Sequence, residues 1–142
     1  ITIMGFTTSC FIRKNTPELR KKLEELGYEP NAYESFWEDD NRYIITTIGS
    51  QGYGYYTLCI KNCCLLENEL FIDCGTNEEL FLALAALRDD TDIHQWIIDE
   101  VNEFFDYDDS WMICENDNMN DRVIYTRYRK ATKEELIERF KD

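Results

Sequence analysis

Apolar positions along this chain recur at two spacings, and each predicts its own kind of element. In "NTPELRKKLEELGYEP" the leucines Leu19, Leu23 and Leu26 stand at i, i+4, i+7, one face of a helix. Its punctuation is complete: Asn15 or Thr16 can cap the start, Pro17 suits the first turn, and Gly27 suits a left-handed stop. "GTNEELFLALAALR" is apolar nearly all round from Leu80 to Leu87, which predicts a helix covered on more than one side. Thr76 and Glu79 have capping-box spacing ahead of it, and Thr132 and Glu135 repeat that spacing before "KEELIERF" near the end of the chain.

The other spacing is alternation. Ile1–Ile12 and "RVIYTRY" read as strands, and Tyr43–Ile48 and Tyr53–Ile60 flank Gly49-Ser50-Gln51-Gly52 as a hairpin would. Glu69–Cys74 predicts a further strand, paired with "CCLL" across Glu67-Asn68. No repeat, low-complexity tract or Pro/Gly/Ser-rich linker interrupts the pattern, so residues 1–142 are expected to form a single domain. The predicted class is α+β: a mainly antiparallel sheet with two to four helices, the central buried one near residues 77–88.

One segment carries both periods. From Ile93, the residues Ile93, Trp96, Ile97, Val101, Phe104 and Phe105 form a helical stripe, which predicts a helix there. Its competitor is a strand at Gln95–Asp99 returning as Trp111–Glu115 beside "RVIYTRY", favoured by β-branched Ile97, Ile98 and Val101.

Charge singles out the same segment. The chain has a net charge of −14, and Asp89 to Asp121 holds twelve Asp or Glu and no Lys or Arg. Such a field repels nucleic acid and anionic membranes and attracts basic partners, so direct nucleic-acid binding is not expected. An apolar content of 44 % rules out a disordered acidic tail. No apolar run approaches the roughly 18 residues of a membrane helix, so no membrane association is expected.

The six cysteines sit mostly in apolar company, as in "TLCI", "FIDC" and "WMIC", with no export pattern ahead of them. Reduced, buried thiols and a cytoplasmic location follow as expectations.

Candidate chemistry is thin. An EF-hand aligned on Asp106, Asp108 and Ser110 places Trp111 where the loop needs glycine, and Asp117 where it needs a bidentate glutamate. Zinc would have to gather distant cysteines with the one histidine, His94. "GSQGYG" lacks both the order of a phosphate loop and its following helix. No cofactor and no metal are therefore expected. Cys74 is the best-placed nucleophile, just before a capped helix whose positive end can lower a thiol pKa, but only His94 could serve as its imidazole base.

In a helix, Asp99, Glu103 and Asp106 would share a polar stripe near the C-terminal end, where the macrodipole is negative. Each like-charged pair then costs roughly 0.2–0.5 kcal/mol, and acids at that end oppose the dipole as well. An arrangement that opposes stability points to use. The expected function is a small interaction or regulatory module without catalysis, contacting a basic partner through Asp99, Glu103, Asp106, Asp108 and Asp109. Alternatives are a nucleic-acid mimic of the anti-restriction kind from a mobile element, and a cysteine-dependent enzyme centred on Cys74. A second candidate surface is the Tyr53, Tyr55, Tyr56 run, which ordinary cross-strand packing also explains.

Overall fold

The computed structural model describes residues 5–30, 42–60, 67, 69–89, 91, 93–99, 111–114 and 128–141. Among these the elements run β1 (Cys10–Ile12), α1 (Pro17–Leu26), β2 (Glu29–Pro30), β3 (Arg42–Ile48), β4 (Gly54–Ile60), β5 (Ile72–Asp73), α2 (Glu78–Ala85), β6 (Trp96–Asp99), β7 (Trp111–Ile113), β8 (Tyr128–Lys130) and α3 (Lys133–Phe140). The class is α+β. The described residues form two sheets: a mixed one in the order β2-β4-β3-β1-β5, and an antiparallel one in the order β7-β6-β8.

Local chemistry explains most of the boundaries. The Thr16 side chain accepts from the Leu19 amide at 3.2 Å, Pro17 opens α1, and Gly27 leaves it at φ 114°. The Gly27 and Tyr28 amides then bond back to the Glu24 and Leu23 carbonyls, satisfying groups a helix end would otherwise leave bare. The hairpin forms as predicted, with β3 and β4 antiparallel from Arg42↔Ile60 to Ile48↔Gly54 around a 3-10 turn, Ser50–Gly52. At α3 the Thr132–Glu135 capping box is complete. Arg129 grips the same carboxylate at 2.6 and 2.8 Å and holds its pKa down to about 2.

Three expectations need correction. The Thr76–Glu79 box is not made: Asn77 caps α2 by accepting from the Leu80 amide at 3.0 Å, so the helix starts one residue later than that box requires. The strand at Glu69–Cys74 shortens to β5, which lies parallel to β1 with Cys10 opposite Ile72. Its supposed partner "CCLL" lies outside the described residues. Where the described residues test the stripe predicted from Ile93, Trp96–Asp99 is strand rather than helix: β6 pairs with β7 (Trp96↔Ile113) and with β8 (Ile98↔Arg129). Pairing on both edges satisfies the backbone of Trp96–Asp99 and lets Ile97 bury to 3 % exposure.

The core is built around α2, where Phe81, Leu84 and Ala85 are 0 % exposed and Leu80 and Ala83 nearly so. One face of the mixed sheet, through Cys10, Ile12, Ile44 and Leu58, packs with α2, Leu19 and Leu23 of α1, and Leu136 of α3. The other face carries a smaller cluster of Phe11, Ile45 and Cys59. Consecutive Ile44, Ile45 and Thr46 are all at 0 %, so β3 is covered on both sides.

Tyr28 closes this core. Its ring stacks on Phe6 with centroids 4.1 Å apart, and its hydroxyl donates to the carbonyl of Ala85 at 2.6 Å. That carbonyl is among the last of α2, where no later helical amide reaches it. A side chain on Gly54 would meet Phe6 and Tyr28 at 2.6–2.7 Å, so the stack requires glycine there. Burial pushes the Tyr28 pKa up and keeps the phenol a donor. Tyr28→Phe leaves the Ala85 carbonyl buried without this donor, and a loss of about 1–3 kcal/mol of stability is expected. Urea unfolding checks it: the midpoint should fall with the slope unchanged, and a wild-type midpoint would mean the hydroxyl contributes nothing net.

Candidate functional site

The described surface has a groove where α1, α2, α3 and the β6–β7 hairpin meet. Its floor and walls are apolar: Leu26 of α1, Leu82 and Ala83 of α2, Ala86 just beyond, Trp96 of β6, Ile113 of β7 and Phe140 of α3. Exposed Lys22, Glu25, Glu79 and His94 stand around it. The volume is about 480 Å³, within the span of about 300–1,000 Å³ typical of binding clefts. A second hollow of about 310 Å³ shares Glu25, Leu26, Ala86 and His94 with it and extends to Arg88, Thr91 and Ile93. On the far side of Trp96, Trp111 lines a third hollow of about 410 Å³ with Glu134, Glu135, Glu138 and Arg139.

Aromatic contacts fix the groove's outer wall. The Trp96 ring lies 5.2 Å from Phe140 and 6.4 Å from Trp111, both tilted, and the Arg139 guanidinium stands 5.0 Å over Trp111. Cross-strand pairing Trp96↔Ile113 and Ile98↔Trp111 puts these four side chains on one face of the small sheet. Phe140 is held from behind, since the Asn77 amide donates to its carbonyl as Asn77 caps α2.

Gln95 holds the inner wall. It is 2 % exposed, and its amide nitrogen donates to the carbonyls of Ala86 and Ile93 while its oxygen accepts from the Arg88 amide at 3.1 Å. Both amide hydrogens are used, so a buried polar group is satisfied and ties the end of α2 to the start of β6. Beside it His94 takes a left-handed backbone (φ 67°), its amide donating to the Cys114 carbonyl at 2.8 Å. Lys130 adds a strut by donating to the Thr91 carbonyl at 2.7 Å.

The electrostatics of the groove are lopsided. Among the described residues neither Glu25 nor Glu79 has an ion pair or a hydrogen bond to its carboxylate. Other acids are engaged: Asp73 with Arg13 at 2.7 Å, Glu78 with Lys14 at 3.4 Å, and Glu138 with Lys141 at 2.9 Å. The groove therefore presents an apolar floor with two carboxylates, Glu25 and Glu79, and one ammonium, Lys22, at its rim.

Of the acidic residues singled out from the sequence, Asp99 alone lies among the described residues. Asp99 ends β6, opposite Tyr128 in register. Glu103, Asp106, Asp108 and Asp109 lie outside the described residues. Asp99 stands in a strand, and the rest of the stripe through Glu103 and Asp106 lies outside the described residues. The tyrosine run divides as strand alternation requires: Tyr53 is 61 % exposed, Tyr55 half-buried, and Tyr56 7 % exposed with its hydroxyl donating to Glu24. It does not form one surface.

Cys10, Cys59, Cys74 and Cys114 are free and buried. The Cys74 thiol is pushed up in pKa, first by its hydrogen bond with Cys10 and then by burial, opposite to what a helix terminus would do for a nucleophile. No group of three or more His, Cys, Asp or Glu side chains able to hold a metal occurs among the described residues. The groove itself is what sequence reasoning missed. Its residues come from five elements and join only through tertiary packing; the one advance signal was that Leu82 belongs to a helix apolar beyond a single face.

Comparison with family models, with curated proteins and with solved structures finds no match to this chain.

If Gln95 sets the inner wall, Gln95→Ala strands the Arg88 amide and the Ala86 carbonyl. About 1–3 kcal/mol of stability should be lost, and the amide resonances of Arg88 and His94 should shift. A variant with unchanged stability and unchanged resonances would show that the wall is held by other contacts.

Proposed function

We propose that this protein is a non-catalytic interaction module that docks a basic, amphipathic segment of a partner protein in the groove between α1, α2, α3 and β6–β7. The observation that carries this is the pairing of an apolar groove with a rim on which two carboxylates, Glu25 and Glu79, outnumber the one ammonium, Lys22. The methylene stems of the partner's Lys or Arg side chains would leave water on Leu82, Trp96 and Phe140, contributing about 25 cal/mol per Å² buried. Their charges would stand against the rim. The net charge of −14 supports this by steering basic partners in and repelling acidic ones. The acidic residues Asp99, Glu103, Asp106, Asp108 and Asp109 belong to that long-range field in this view.

A cytoplasmic setting fits the four free, buried thiols, which a reducing compartment preserves. Among the described residues no helix is long and apolar enough to cross a membrane.

A fluorescent peptide alternating lysine and valine tests the proposal by anisotropy. It should bind at low salt and weaken as salt rises, because surface charges are screened over about 10 Å at 0.1 M. Reversing charge in the Glu25→Lys, Glu79→Lys variant should cost at least about tenfold in affinity, about 1.4 kcal/mol. A control reversing the exposed Glu18 and Glu29, outside the groove, should cost much less. Equal losses in the two variants would refute the groove as the docking site, and no binding at low salt would refute the docking role.

A further inference from the structure

We propose that the outer edge of β7 receives the partner as an added strand, so that the basic segment extends the β7-β6-β8 sheet while its side chains enter the groove. This rests on the docking role above and specifies how the partner is held.

Backbone geometry assigns the edge. The Cys114 amide donates to the Gln95 carbonyl at 2.9 Å, and the Cys114 carbonyl accepts from the His94 amide, so the polar groups of Cys114 face β6. Alternation along an antiparallel strand turns those of Met112 the same way and those of Trp111 and Ile113 outward. The far side of β6 agrees: the Trp96 carbonyl accepts from the Ala131 amide on the β8 side, so Trp96 and its cross-strand partner Ile113 share no hydrogen bond. Trp111 and Ile113 thus offer amides and carbonyls along an edge that none of the described residues pairs. β7 stands last in its sheet, and Met112 and Ile113 are 43 % and 47 % exposed. Protein edges are ordinarily blunted by charge, proline or a bulge, and Trp111-Met112-Ile113 has neither charge nor proline.

Charge selects the occupant. Trp111 and Ile113 lie on the sheet face that carries Trp96, so added side chains opposite them enter the groove and the Trp111 hollow. Glu79 and Glu25 against Lys22 line the first, and Glu134, Glu135 and Glu138 against Arg139 line the second, Glu138 being paired with Lys141, so acids outnumber bases in both. Lysine or arginine fits those positions, with apolar residues at the alternate positions near Met112. A second copy of the chain would bring another −14 to the same edge and is disfavoured. In an antiparallel addition the groove-facing residues of the partner turn their own amides toward β7, and the residues between turn theirs away.

Backbone methylation separates this arrangement from side-chain docking alone. The probe is a peptide of about eight alternating lysines and valines, near ordinary strand length, in unmodified form and with either its lysine or its valine amides N-methylated. Methylated lysines should weaken binding about tenfold or more by removing bonds to the Trp111 and Ile113 carbonyls, while methylated valines should leave affinity within about twofold. On binding the unmodified peptide, the amides of Trp111 and Ile113 should gain protection from hydrogen exchange, with that of Met112, already turned to β6, unchanged. Equal affinity of the two methylated peptides would overturn the edge pairing and leave groove docking standing. Failure of the unmodified peptide to bind at low salt would remove the docking role and the edge pairing with it. Dimerisation of the chain through β7, with the peptide unable to compete, would overturn the assignment of a basic partner to this edge.

Discussion

The rest of this fold answers to the burial of α2 around most of its axis. A short helix with leucine, phenylalanine and alanine nearly all round its axis cannot lie on one surface, so several elements must cover it: the mixed sheet, α1, and α3 with the small sheet. Its polar ends then have to be satisfied inside the protein. Asn77 caps the start and also reaches α3; the Tyr28 hydroxyl and Gln95 serve carbonyls at the finish. The groove arises where this coverage stops, along Leu82, Ala83 and Ala86.

Elements with complete local signals were legible in advance. α1 carried its cap, its proline and its left-handed glycine within a dozen residues, and the β3–β4 hairpin carried alternation on both arms of a glycine-rich turn. What failed was decided at long range. Trp96 to Asp99 fits a helical stripe and a strand alternation alike, and there the strand won because β7 and β8, further along the chain, complete the backbone bonding of β6. In the same way β5 joins the distant β1 in parallel, a pairing for which its own sequence holds no sign. The Thr76–Glu79 spacing was real, but Asn77, an equally good cap, stood one residue further on.

The candidate site was less legible than the fold for a related reason. Acidic residues are conspicuous in a sequence whether or not they act, whereas a groove is a property of packing. The sequence drew attention to the charge of residues 89–121, while the structure draws it to Glu25 and Glu79, two acids that attract no notice within helices containing other acids. What sets them apart is the apolar surface beside them. Cys74 illustrates the converse: it stands just ahead of a helix as the sequence suggested, yet burial and the neighbouring Cys10 raise its pKa.

The central claim is that binding energy lies in the groove rather than in the acidic field at large. Amide chemical-shift mapping on the isotope-labelled protein, titrated with the lysine–valine peptide, tests it most directly. The account predicts that the largest perturbations fall on Leu82, Ala86, Trp96, Ile113 and Phe140. Perturbations centred on the Tyr53–Tyr56 segment, or spread over acidic surfaces with those five amides unmoved, would contradict it.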